Sequence, residues 1–451
     1  MGEAPPPRAF RIGFFSAFYP MMSRTGGGST GMALLLASSP RVARAVIFGP
    51  TGSRMPPGVD PGRIELVPVW RPDDLWSFVR TAWVMGRAAG RLDGFLFSIS
   101  VKCFGRHSLT NAAGLLLPVL LRRLTGKPVV VFVHNFVETQ EIERLGYSPS
   151  APTLWAAGFL ERLLIRSTTT VVGLASLQRD IQEALGGEVR FIPMRFLEVY
   201  HPWISGHGRA ASGGTLDPRE PLRVFLIGFW GPQKDLRGAL TVLREIRAGG
   251  FPLDVTIAGE AHPDFPGSVA ELDDLRRTMP SEGFRFVGFV PNERLRPLLD
   301  QQDVVLIPYN ASGGYSGVLN LATGFELPVI AYDLPELREN AALLGVRPTF
   351  VPRRDVGRIR DALERIRGLP ARVRGRSSLD GERGIQAARD GVEQLIALVV
   401  GEAPRAAEPP GPTKEAEPPR DGTRPEPRSS APTEGGPDVP MRPSPTAVTP
   451  A

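Results

Sequence analysis

Short apolar runs and amphipathic stretches alternate along the chain from about residue 10 to residue 400. In the first half, RIGFFSAF, RAVIFG, RIELVPV, GFLFSIS, PVVVFVHN, TTTVVGLA and VRFIPM read as buried strands. Between several of them lie the helical patterns GMALLLASS, DLWSFVRTAWVMGRAAGR, NAAGLLLPVLLRRLTG, PTLWAAGFLERLLIRS and LASLQRDIQEALG. In the second half the strands are LRVFLIGF, LDVTIAGE, FRFVGFV, DVVLIPYN, LPVIAYD and PTFVPR. LRGALTVLREIRAGG, VAELDDLRRTMP, NERLRPLLDQQ and LNLATGFE alternate with them as helices. Strands that are apolar throughout must be covered on both faces, so the pattern predicts parallel sheets with helices on either side. The expected fold class is α/β, with two Rossmann-like domains facing across a cleft. A ligand is then expected outside the carboxyl ends of the strands.

Breaks in composition divide the chain. SGHGRAASGGTLDPREP is rich in small residues, Gly and Pro and reads as a linker. From about Gly401 the sequence is proline-rich with almost no large apolar residues, which predicts a disordered tail. The expected organisation is a first domain at 9–204, a linker at 205–221, a second domain at 222–381, a helix at 382–400 crossing back to the first domain, and a tail at 401–451. No repeat of 20–50 residues is present.

Composition narrows the function classes. Apolar residues make up 42% of the 451 residues, enough for sizeable cores. The single cysteine, Cys103, excludes an internal disulfide framework and cysteine-rich zinc sites, and reads as a buried strand-end residue. No run reaches the ~20 apolar residues that span a bilayer, and the start MGEAPPPRAF lacks the pattern of a signal peptide. The expected location is therefore the cytoplasm. A formal charge of +6, carried mainly by arginine, suits phosphorylated ligands or anionic membrane surfaces. Nucleic acid is not expected, because no zinc-finger spacing, basic helix or aromatic-interleaved basic repeat occurs. FVRTAWVMGRAAGRLDG is either a helix resting on anionic lipid at the inner face of the membrane or one with a solvated face.

Four segments carry candidate chemistry. FYPMMSRTGGGSTGMALLLA follows the first strand; Gly26, Gly27 and Gly28, then Ser29, Thr30 and Gly31, open a helix, and Gly26–Ser29 form either a substrate-contacting loop or a flexible turn. In GFWGPQKDLRGAL, Lys234 sits at a strand-to-helix turn, where it either neutralises a diphosphate or is a solvated lysine. In NASGGYSGVLNLATGF, Ser316 and Gly317 open a helix whose amides and dipole suit an anion, although serine also caps helices without any ligand. In VFVHNF, His134 ends a strand and is either structural or bonded to a substrate hydroxyl.

The order of these segments, with LERLLIRSTTTVVGLA, FVGFVPNERLRPLLDQQDVVLIPY and SGVLNLATGFELPVIAYDLPELRE, resembles the GT-B glycosyltransferases and among them the large retaining family four. The likeness spans about residues 10–400. It implies metal-independent transfer of a sugar, with retention, from a UDP- or GDP-sugar to a glycan, lipid-linked or small-molecule acceptor, with no cofactor beyond the co-substrate. By this resemblance Lys234 and Gly228 meet the donor diphosphate and His134 lies near the donor sugar. Gly288, Phe289 and Val290 hold the base through backbone groups, and Ser316, Gly317 and Val318 meet the distal phosphate. Gly27 and Gly28 approach the donor phosphate and the acceptor. Two departures from the family fall at three positions. Its usual arginine after the turn glycine is Phe229 here, and its paired glutamates fall at Gly313 and Leu321, with Glu326 further on. A non-catalytic GT-B protein, binding a nucleotide-sugar or docking to a partner subunit, is the competing expectation, and a GT-B epimerase a third.

Overall fold

The computed structural model describes residues 9–21, 26–56, 61–100, 103–136, 146, 148, 150–194, 220–279, 283–312, 314–325, 327–369 and 381–403. All of them belong to one unit that runs to Arg405. Most of the expected linker, the tail from residue 404, Gly313 and Glu326 lie outside the described residues.

The first lobe is built on a parallel sheet of β1 (Phe10–Phe15), β2 (Val42–Pro50), β3 (Ile64–Trp70), β4 (Gly94–Ile99), β5 (Val129–Val133), β6 (Thr169–Val172) and β7 (Val189–Phe191). Its strand order is β3-β2-β1-β4-β5-β6-β7. The second lobe carries β8 (Leu222–Ile227), β9 (Leu253–Ala258), β10 (Phe284–Gly288), β11 (Val304–Ile307), β12 (Val329–Tyr332) and β13 (Thr349–Val351), in the order β10-β9-β8-β11-β12-β13. Every named strand pair is parallel. Both orders run outward from the first strand and then reverse, which is the doubly wound arrangement. The reversal opens a crevice beside β1 and β4 in one lobe and beside β8 and β11 in the other. The central strands explain themselves: β4 (GFLFSI) and β5 (VVVFV) are buried at every position, as strands covered on both faces must be.

On one face of the first sheet lie α2 (Leu75–Ala88), α3 (Ser108–Thr125), α4 (Ala151–Ser167) and α5 (Ala175–Leu185). Their core includes a cluster of Phe15, Trp70, Phe78, Phe97 and Phe104, with ring centroids as close as 5.2 Å. Asp74 caps the start of α2 by accepting from the Ser77 amide, and Gly126, at φ 63°, ends α3 in the left-handed conformation. The other face is covered by α1 (Gly26–Ser38) and by α12 (Gly381–Val399), the last helix. Ala388, Val392, Leu395 and Ile396 of α12 share a core with Ile12, Phe14 and Leu96 of the first sheet. A Cβ at Gly94 would stand 2.5 Å from the Val399 carbonyl oxygen, so β4 and the end of α12 meet only because residue 94 has no side chain.

The second sheet is covered by α6 (Leu236–Ala248), α7 (Pro266–Thr278), α8 (Asn292–Leu299), α9 (Gly317–Gly324), α10 (Pro335–Leu344) and α11 (Val356–Gly368). Helices α10 and α11 are absent from the expectations above. The signal for α11 was present: Ile359, Ala362, Leu363 and Ile366 are its buried residues, a stripe at helical spacing behind an Asp355 cap. The charged residues interleaved with that stripe hide it from a search for apolar runs. Cys103 is a second difference. It is half-buried in the turn after β4, with the Ser100 amide 3.5 Å from its sulfur, and is not a strand residue.

Candidate functional site

At the crevice of the second lobe, β8 passes through Gly228 into a turn that carries Lys234. The turn is laced to the end of β11. Lys234 bridges to Tyr309, the Asp235 amide donates to the Pro308 carbonyl at 2.7 Å, and the Asn310 amide donates to the Gln233 carbonyl at 2.9 Å. This lacing fixes the lysine's backbone at the point where strand order reverses. Its side chain folds back over Gly228, and a Cβ on that residue would collide with the ammonium. The ammonium lies 5.0 Å from the centre of the Tyr309 ring and 5.9 Å from that of Trp230. No carboxylate pairs with it among the described residues. Burial pushes its pKa down from 10.5 to about 8.

The neighbouring acids are engaged elsewhere. Asp235 is buried, caps α6 through the Gly238 amide and is held by the Arg354 guanidinium, whose two nitrogens lie 2.5 and 2.6 Å from its oxygens. Glu260, after β9, accepts from the Phe289 amide at 3.1 Å and lies 3.4 Å from Arg276. The local field at Lys234 is therefore that of a cation without its counter-ion.

Tyr309 connects this cation to the start of α9. Its ring lies under the ammonium and its hydroxyl bonds to Ser316. Burial pushes the phenol up to about 12, so it is a neutral hydrogen-bonding group, with the Ser316 bond acting in the opposite sense. Ser316 is buried and occupied. Its hydroxyl caps α9 by accepting from the Leu319 amide at 3.3 Å, and its own amide donates to Asn340 Oδ1 at 3.3 Å. The amides of Gly317 and Val318, the first two of the helix, have no acceptor among the described residues. They are the groups left to point at an anion. Leu321, where the resemblance would place a carboxylate, is buried in the core beneath.

The ends of β9 and β10 form the adjoining rim. A Cβ at Gly259 would fall on the Gly228 carbonyl oxygen, so these two strand ends touch backbone to backbone. Gly288, at φ 65°, accepts from the Gly259 amide at 2.7 Å. Of the segment expected to hold a base, the Phe289 amide is thus occupied by Glu260 and the Phe289 ring is exposed, while Val290 is half-buried. The Phe229 ring turns edge-on to His262, with centroids 6.4 Å apart.

The first lobe contributes a chain of hydroxyls that ends on His134. Ser16 follows β1, Ser98 lies in β4 and Ser29 in α1. The Ser16 hydroxyl donates within 2.8 Å of Ser29 Oγ and 2.7 Å of the Ser98 carbonyl oxygen. Ser29 Oγ lies 2.9 Å from Ser98 Oγ, which lies 2.9 Å from His134 Nε2. All three serines are buried. The imidazole stands edge-on to Phe132 at 5.0 Å, and its surroundings lower its pKa from 6.5 to about 4, so it is neutral at physiological pH.

Gly26–Ser29 open a helix as expected, but they belong to it from Gly26 onward and are not a loop before it. Gly26, Gly27 and Gly28 are the first turn of α1, and Ser29 directs its hydroxyl inward to the Ser16–Ser98 pair. Ser16 and Ser98 were not singled out from sequence. The signal was a hydroxyl after FRIGFF and another inside GFLFSI, each next to an apolar stretch that is buried throughout.

The two lobes meet at this place. A Cβ on Gly314, in the loop before α9, would stand 2.8 Å from the His134 carbonyl oxygen. The Glu339 carboxylate of α10 accepts from the Ala175 amide at 2.6 Å and the Ser176 amide at 3.2 Å, the free N-terminal donors of α5. The structure thus brings together His134, the loop at Gly314, the α9 amides and Tyr309 with Lys234. Gly288 and Val290 both stand at the end of β10, two strands from β8 along the rim. No cluster of three His, Cys, Asp or Glu side chains suited to a metal occurs among the described residues.

Comparison with known proteins finds a family match within the second lobe. Residues 221–367 match the family described as glycosyl transferases group 1. The chain's fold is the GT-B fold of several solved glycosyltransferases. Anabaena HepE in complex with UDP-glucose matches with a TM-score of 0.57 at 13% identity, covering 86% of this chain and 100% of that one. Sucrose-phosphate synthase from Thermosynechococcus elongatus matches with a TM-score of 0.57 at 14% identity, covering 87% and 97%. An E. coli structure titled trehalose-6-phosphate bound with UDP-2-fluoro glucose matches with a TM-score of 0.55 at 13% identity, covering 88% and 100%. No curated protein matches the sequence.

Proposed function

From the match of residues 221–367 to group 1 glycosyl transferases, we propose that the chain transfers a sugar from a nucleoside-diphosphate sugar, with retention of anomeric configuration. The donor diphosphate lies between the Lys234 ammonium and the Gly317 and Val318 amides, and the base lies along the Gly288–Val290 rim. The donor sugar faces His134, and the acceptor, a glycan or lipid-linked sugar, approaches from the first lobe. Lys234 carries this reading, because a partly enclosed ammonium with no carboxylate partner favours an anionic occupant.

As the bond between the anomeric carbon and the phosphate oxygen breaks, negative charge develops on the diphosphate. The lysine and the two amides already point at that charge and need no reorganisation. The acceptor hydroxyl forms the new bond on the same face, and its proton passes to the departing phosphate oxygen. That route requires no carboxylate nucleophile, which accords with Leu321 lying in the core. In this reading the charge is met by Lys234 and backbone donors, without a metal ion.

UDP-glucose is the first donor to test, since HepE binds it and a second structure of this fold carries a fluorinated analogue. Titration calorimetry should show saturable UDP-glucose or GDP-sugar binding that Lys234→Ala weakens by about 2–3 kcal/mol, the scale of a lost charge-assisted contact. Equal affinity in the two proteins removes the assignment. The second reading, a donor-binding protein without turnover, draws on the same buried Leu321 and on Phe229 in the family's arginine position. Slow release of UDP from bound donor separates the two, since a non-catalytic binder leaves the donor intact.

A further inference from the structure

Ten of the twelve large apolar side chains exposed among the described residues lie on α2, α3 and α4, three neighbouring helices on one face of the first lobe. On α2, Trp76 is 79% and Trp83 62% exposed; on α4, Trp155 is 73% exposed and stacks on Phe159 with centroids 6.1 Å apart. Helix α3 adds Leu109, Leu116, Leu120 and Leu124. A contiguous apolar face of this kind marks an interaction surface.

Its charge says what covers it. Arg80 and Arg87 of α2, Arg122 and Arg123 of α3 and Arg166 of α4 are exposed and pair with no carboxylate among the described residues. The one acidic residue on the three helices, Glu161, is fully buried. Arg87 lies over the Trp83 ring at 5.1 Å, so cationic head and apolar body are presented side by side. Tryptophans among leucines, ringed by cations and free of exposed acid, match the boundary between lipid headgroups and acyl chains. No helix of the described residues is long and apolar enough to cross a membrane, so the contact is peripheral.

We infer that the α2–α3–α4 face docks the protein onto an anionic lipid bilayer. Helices α3 and α4 follow strands β4 and β5, whose ends carry Ser98 and His134. Docking on this face therefore brings the acceptor side of the crevice close to the lipid surface. The inference concerns a different surface from the donor site and is tested without donor, so it stands or falls separately from the transfer reading.

The test is co-sedimentation of the full chain with phosphatidylcholine vesicles, with or without about one phosphatidylglycerol in four lipids. Binding is expected to the anionic vesicles, with a blue shift of tryptophan emission, and to weaken as salt is raised. The Trp76→Ser/Trp83→Ser and Arg122→Gln/Arg123→Gln variants should each bind at least about 20-fold more weakly, the arginine pair by loss of two surface cations. Unchanged thermal melts exclude misfolding, and Arg80→Gln/Arg87→Gln is the second charge variant should the first fail to fold. No binding to anionic vesicles, or binding indifferent to these substitutions, overturns the inference. So does a solution dimer that Trp76→Ser/Trp83→Ser dissociates, which would assign the face to a second copy of the chain.

Discussion

The Ser98 hydroxyl lies 2.9 Å from Nε2 of His134 and 2.9 Å from the hydroxyl of Ser29, so a strand-end imidazole is tied through β4 to the first turns of α1. Ser98→Ala removes the shared partner and leaves Ser29 and His134 each short of a bond in a buried place. A loss of about 1–3 kcal/mol in urea denaturation is expected. Ser98→Thr, which keeps the hydroxyl, should restore part of it.

His134 predicts an acid-sensitive fold. Its folded pKa, about 4, lies below the ordinary 6.5, so the unfolded chain takes up a proton that the folded chain refuses. This contribution is flat above pH 6.5 and costs stability as pH falls from 6.5 towards 4, by up to about 3 kcal/mol. Denaturation midpoints measured across that range should fall less steeply in His134→Asn than in the parent.

Lys234 predicts two effects of opposite sign. With no anion bound, its charge is destabilising in its partly enclosed position, so Lys234→Met should raise the melting temperature of the free protein, by about 1–3 kcal/mol in stability. The same variant should bind donor more weakly, by about 2–3 kcal/mol. A fall in both quantities would mean that the lysine serves the fold rather than a ligand.

The lysine also sets a pH limit on binding. With a pKa of about 8 in the free protein, the ammonium is intact below pH 8 and is lost above it. A bound diphosphate raises that pKa, so donor affinity should be level below pH 8 and fall towards pH 10. Calorimetry at several pH values checks this, and the fall should be absent in Lys234→Met.

Two glycines separate site from scaffold. A methyl on Gly228 meets the end of a flexible lysine, so Gly228→Ala should displace the ammonium and weaken donor binding about tenfold, with a loss of stability, from its φ of 159°, smaller than at Gly259. A methyl on Gly259 meets the Gly228 carbonyl, which is backbone and cannot step aside. Gly259→Ala should therefore destabilise the fold by about 2–4 kcal/mol. Thermal melts beside donor titrations distinguish the two.

The strands were legible because each is a short apolar run, and all thirteen appear where those runs lie. The doubly wound order was legible as a class, since alternating strands and helices admit few other solutions. The site was legible only in part. Lys234 and His134 stand out as polar residues at strand ends. What surrounds them does not, because it depends on pairings between residues far apart in sequence. Asp235 is claimed by Arg354, Glu260 by Arg276 and the Phe289 amide, and the Ser316 amide by Asn340. Those pairings decide which cation and which amides remain free. The local pattern showed that Gly26–Gly28 open a helix but not that the glycines are its first turn rather than a loop, with Ser29 bonded into the buried hydroxyl chain.

Helix α12 ties the far end of the described chain to its first strand. During synthesis the residues that flank β1, β4 and β5 leave the ribosome well before the segment that seals one side of their sheet is translated. Ile12, Phe14 and Leu96 wait with only the α1 part of their cover while the whole second lobe is made. The lobe begun first is thus completed last, and a chain stopped short of Gly381 keeps α1 on that side of the sheet but leaves the apolar strip under α12 open, prone to aggregate although every residue of its strands is present.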